Sequence, residues 1–177
     1  MNCFKVREVL FGVVLSLNVQ PMVAQPATFE DGILTIPHAA LIDGMSPVYY
    51  SNVQLSSNAD GSLSVVAGEP QNLVTVDSVE VMIMESFPVQ VSLAVSGNKS
   101  VPCVELLPAA VSRSGNQFSV VMAESVLGPA ESCIAVIDPF EQSVSLDVEG
   151  LPAGTYNVDV NGVSAEFTLD MDNTLGN

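Results

Sequence analysis

The 177-residue chain carries 20 acidic against 4 basic side chains, a formal net charge of −16, one histidine and no tryptophan. A field of that sign repels nucleic acid and anionic lipid, so both are excluded as partners, and it favours cationic partners such as Ca²⁺ or basic proteins. An acidic surface suited to a salty medium, where charges are screened, accounts for the composition equally well.

Residues 1–24 read as a secretory signal peptide: Lys5 and Arg7 lead in, residues 9–17 form the apolar run, and Met22-Val23-Ala24 offers a small residue before the cut. The run is too short to span a bilayer. The mature protein is therefore expected to be secreted or periplasmic, without membrane insertion. Cys3 precedes the apolar run and leaves with the leader.

A small β-meander is expected over residues 27–68. Residues 33–37, 47–55 and 62–66 alternate as strands, the last entered by the Asp60-Gly61 turn. Pro37 cannot donate to a ladder and is placed at a strand end or edge. The pattern of an x-Leu-x-Ile-Pro strand followed by a Tyr-x-Asn-Val strand resembles a short module of secreted bacterial proteins, and that resemblance implies no active-site residues. Residues 68–75 read as a linker.

Alternation then returns over residues 77–170. Val79, Val81 and Ile83 share a face, Val89 to Val95 follow a break at Phe87-Pro88, and Phe118, Val120 and Met122 follow Gly115-Asn116. Val144, Leu146 and Val148 make another strand, and residues 103–107 and 133–137 are read as two more. Short strands with turn signals every eight to twelve residues or so point to an all-β, immunoglobulin-like antiparallel β-sandwich rather than to α/β. Residues 171–177 read as a flexible polar tail.

Cys103 and Cys133 survive signal removal in a compartment that permits disulfides, and one bridge between them is the simple reading. Neither has a Cys-x-x-Cys neighbour, so zinc and redox sites are not expected.

The stretch that organises the second module is its last hairpin. Asn161-Gly162 suits a type I′ turn, which needs positive φ at both central positions. That turn sets Val160 against Val163, Val158 against Ala165 and Tyr156 against Phe167, with Asn157, Asp159, Ser164 and Glu166 on the opposite, wet face. Upstream, Leu151-Pro152-Ala153-Gly154-Thr155-Tyr156 resembles the Leu-x-Pro-Gly-x-x-Tyr corner of fibronectin-type-III and other immunoglobulin-like domains, with the proline one residue earlier than in some versions. The resemblance implies that Tyr156 is a structural anchor whose hydroxyl bonds back to upstream backbone. Taken whole, from Val79 through the cysteine pair to Tyr156, the second module resembles a secreted bacterial β-sandwich family of uncharacterised function. That resemblance implies the fold and the disulfide but no activity.

Chemistry is sparse. His38 is the only candidate general base, and no Gly-x-Ser-x-Gly elbow supplies a nucleophile. Asp147 and Glu149 share a strand face, as do Asp159 and Glu166 across the hairpin, and these read as solvated faces or part of a cation site. Calcium is the best cofactor guess, from Asp60 and from Asp170 and Asp172, but neither stretch fits a full loop with its closing glutamate. No catalytic, cofactor-binding or metal residue is assigned, and no cofactor is expected. The expected function is a non-catalytic binding or structural module with an unknown protein partner. The alternative is a secreted protease inhibitor on the same scaffold.

Overall fold

In the computed structural model, residues 26–43 and 46–174 are described, so the signal peptide expected over residues 1–24 lies outside the described residues. The strands are β1 (Thr28–Glu30), β2 (Ile33–Asp43), β3 (Ser46–Ser57), β4 (Leu63–Leu73), β5 (Thr75–Met84), β6 (Gln90–Lys99), β7 (Ala110–Ser114), β8 (Gln117–Val121), β9 (Ala123–Glu124), β10 (Asp138–Leu146), β11 (Gly154–Val160) and β12 (Val163–Leu169). Among the described residues no helix is long and apolar enough to cross a membrane.

Two sheets make the sandwich, one ordered β10-β6-β5 and the other β12-β11-β8-β7. Inward positions recur at every second residue, and Val91, Leu93, Phe118, Val144, Tyr156 and Phe167 are buried together between the sheets. Tyr156 and Phe167 stack with ring centroids 5.3 Å apart. One pair departs from the expected antiparallel pattern: β11 runs parallel to β8, because β7 and β8 form a hairpin whose second strand, not its first, lies beside β11.

The last hairpin has the expected register, with Val160 opposite Val163, Val158 opposite Ala165 and Tyr156 opposite Phe167. Asn161 and Gly162 take φ of 48° and 92°, the conformation a type I′ turn demands. The buried Tyr156 hydroxyl donates to the Pro152 carbonyl at 2.8 Å, closing the corner.

The meander is larger than expected, a sheet ordered β1-β2-β3-β4-β9. Pro37 lies within β2, beyond the stretch that β1 pairs, and the β2–β3 ladder skips it, passing from Ile36 opposite Val53 to His38 opposite Ser51. The expected linker at 68–75 is strand. β4 runs to Leu73 and β5 starts at Thr75, with buried Val74 as the single crossing residue. Gly68 and Pro70 fit within β4 because an edge strand tolerates both, and β4 is an edge as far as Gln71.

Residues 103–107 and 133–137, expected as strands, are irregular apart from a single bridge between Leu106 and Glu124. Pro102 and Pro108 bound the first of them, and its groups are met singly instead: the Lys99 ammonium donates to the Val104 carbonyl, and the Ser125 N–H donates to the Glu105 carbonyl. The tail is docked rather than frayed at Asn173, which is 0% exposed. Its amide holds Val89 and Val148, while its backbone exchanges hydrogen bonds with Gly150 and Leu151.

Tyr49 of β3 fixes the meander to the sandwich. It is buried against Val121 and Ala123, and its hydroxyl donates to the Pro108 carbonyl at 2.7 Å. Burial pushes its phenol from 10.0 up to about 12. Because the folded state holds this proton more tightly than the unfolded chain, Tyr49 contributes stability that is complete below pH 10 and is lost as pH rises toward 12. Stability profiles of wild type and Tyr49→Phe should therefore converge over that window, and parallel profiles would refute the assignment.

Candidate functional site

The most distinctive polar constellation lies where the meander meets the sandwich. On β2, β3 and β4, His38 is directly opposite Ser51, and Ser51 is directly opposite Glu69, so strand register places the three side chains in one row. They line a groove of about 450 Å³ with Pro37, Asn52 and Val126. Asn52 sits at a β-bulge with φ of 53°, and its side-chain amide donates to a Glu69 carboxylate oxygen at 3.3 Å. Tyr49 backs the groove, its ring 6.0 Å from that of His38.

The order of the row decides its chemistry. Activating a serine requires histidine in the middle, with the carboxylate orienting the far ring nitrogen. Here the serine is in the middle, 3.5 Å from His38 Nδ1, and Glu69 is held by Asn52. The row therefore lacks the serine–histidine–carboxylate order of a proton relay and presents hydrogen-bond donors and acceptors to the groove.

The other residues singled out from the sequence are dispersed. The Asp60 carboxylate accepts the Ser62 N–H at 2.9 Å and its hydroxyl at 2.6 Å, bonds that hold its carboxyl below the usual range. Asp172 accepts the Ala153 N–H at 2.8 Å, so one carboxylate in each suggested calcium stretch accepts a backbone hydrogen bond. Asp147 and Glu149 line a shallow cleft of about 260 Å³ beside β6 and β10 that shares no residue with the groove of His38. Among the described residues no group of three or more His, Cys, Asp or Glu side chains is placed to hold a metal ion.

Cys103 and Cys133 are bonded, closing a loop of sequence separation 30. Replacing both with alanine should cost about 3–4 kcal/mol from loop-closure entropy, read by urea unfolding, and a loss under about 1 kcal/mol would refute that account. Glu124, paired with Leu106 in an isolated bridge, is buried and accepts the Ser100 N–H at 2.8 Å.

Sequence reasoning missed Ser51, Glu69, Tyr49, Glu124 and Asn173. Cross-strand register brings the first two to His38, and that register could be read only once β4 was known to continue through residue 69. Asn161 does more than turn a hairpin. Its side chain donates to the Val74 and Met122 carbonyls and accepts the Met122 N–H, tying the turn to the seam between the two modules.

No curated protein and no solved structure matches the chain. Residues 93–169, which run from β6 to the end of β12, match the family model of the ORF11 beta-sandwich domain, so the sandwich portion of this chain is similar to that family.

Proposed function

We propose that the protein is a non-catalytic, extracytoplasmic binding module, secreted or periplasmic, that engages a protein partner through the meander sheet and its groove. The reading is carried by the spatial order of His38, Ser51 and Glu69, which offers hydrogen-bonding groups in a groove while leaving the serine without an activated base. The disulfide and the apolar leader support export. On the mature chain, a panel of ester, peptide and glycoside substrates should give no turnover above that of His38→Ala, while the immobilised protein retains a partner from the native extracytoplasmic fraction. Turnover abolished by His38→Ala would overturn the reading.

A second reading, a secreted protease inhibitor, is favoured by one observation. Ile134, Val136 and Ile137 are exposed on the segment that the Cys103–Cys133 bond tethers, as a rigid loop offered to a cleft would be. Inhibition of a protease at micromolar protein, lost on Ile134→Asp, would support it, and no inhibition across a protease panel would dismiss it.

A further inference from the structure

β4 differs from the other edges of this molecule. Among the described residues its only ladder partner besides β3 is β9, which takes up Asn72 and Leu73, so residues 63–70, all exposed, leave their outward backbone groups without a ladder partner. Native edge strands are commonly guarded by lysine, inward charges or proline. Here residues 63–67 read Leu-Ser-Val-Val-Ala, without a charge or a proline. Leu63, Val65 and Val66 are 57%, 70% and 54% exposed.

The face that ends at this edge is apolar as well. Phe29 is opposite Leu34, Leu34 opposite Leu55, and Leu55 opposite Val65, so four apolar side chains cross four strands in a line. Its two ends, Phe29 and Val65, are largely in solvent. Around it, residues 26–73 carry Glu30, Asp31, Asp43, Asp60 and Glu69 and no lysine or arginine. A second copy, equally acidic, would meet like charge along the whole sheet. A basic strand meets the opposite sign.

We infer that β4 is the docking edge for an extended segment of a basic partner, which adds as the next strand, continues the Phe29–Leu34–Leu55–Val65 row with its own apolar residues and sets lysine or arginine between them. This rests on the binding-module reading and names the surface and the partner's chemistry. Backbone pairing along residues 63–67 supplies the attachment. The apolar row selects the register, since a slip of one residue would turn the partner's charges onto it. Glu69 and the groove stand at the far end of the same strand, where a basic side chain is met by a carboxylate.

The test uses the mature chain and two synthetic peptides of about nine residues, one alternating lysine and valine and the other glutamate and valine. Either spans the open part of β4 at roughly 3.4 Å per residue. The lysine peptide should bind with a micromolar Kd, at least about thirtyfold tighter than the glutamate peptide, and should slow amide exchange within residues 63–67. Val65→Glu adds negative charge, so general attraction between an acidic protein and a basic peptide would tighten binding. Insertion beside the apolar row predicts at least about tenfold weaker binding instead. Equal or tighter binding to Val65→Glu, protection outside β4, or no binding of the lysine peptide would overturn the inference. A native partner held equally by wild type and Val65→Glu would also reject the β4 edge, while leaving the binding-module reading standing.

Discussion

Asn173→Ala should unfold at markedly lower urea or temperature than wild type, with a loss of about 3–5 kcal/mol. The side chain is buried and fully used. Its oxygen accepts the Val89 N–H at 2.6 Å, and its amide nitrogen donates to the Val89 and Val148 carbonyls, each at 2.9 Å. Removing it strands one donor and two acceptors, the Val148 carbonyl in a buried site and the Val89 groups in a half-buried one, and each stranded buried group costs about 1–3 kcal/mol, with less than full additivity. Against a typical total of about 5–15 kcal/mol this is a large share, and the midpoint should fall by roughly 10 °C.

Asn173→Asp refines the same test, because it keeps the shape and the acceptor but loses both donors and faces two carbonyls with a carboxylate. Burial and those carbonyls raise the carboxyl's folded-state pKa above its unfolded value of about 3.9. The variant should therefore be weakest near neutral pH and regain stability relative to wild type as pH falls and the carboxyl takes up its proton. Asn173→Ala within about 1 kcal/mol of wild type would mean the docked tail carries no stability.

The parts of the fold that could be read from sequence are those where one local rule decides. In the last hairpin, the turn chemistry of Asn161-Gly162 and strict alternation leave one register, and the structure has it. The sandwich follows from alternation in the same way. What escaped were features decided by partners distant in sequence. Gly68 and Pro70 look like a linker until β3 is known to pair beside them, and residues 103–107 look like a strand until the bridge and the flanking prolines are placed. Asn173 looks like part of a flexible tail because its partners lie at Val89 and Val148, and nothing local announces them.

The groove was illegible for a related reason. The sequence offers His38 as the sole candidate histidine base, but the meaning of a histidine depends on what stands beside it. Ser51 and Glu69 reach it only through pairings of β3 with β2 and β4. A rigid seam is then what gives the groove and the apolar row a fixed geometry. Tyr49, Val74 and Asn161 hold the meander against the sandwich, so a strand docking on β4 need not first order a loose arm.

Asn161→Gly separates the turn from the seam. If Asn161 served only the hairpin, glycine would be nearly neutral, since it takes the φ of 48° without steric cost and Gly-Gly is an accepted type I′ pair. The side chain, however, spans the junction. It donates to the Val74 and Met122 carbonyls at 2.9 and 2.8 Å and accepts the Met122 N–H at 3.0 Å. Losing three bonds at a partly buried site, where water replaces some of them, should cost about 2–3 kcal/mol. The loss should also be local. The Met122 amide proton, deprived of its acceptor, should exchange faster in Asn161→Gly, while the amides of β6 in the sandwich core keep wild-type protection as long as the global stability still exceeds the cost of local opening. A variant within about 0.5 kcal/mol of wild type, or one whose Met122 amide exchanges unchanged, would confine Asn161 to its hairpin and leave Tyr49 and Val74 to hold the modules together.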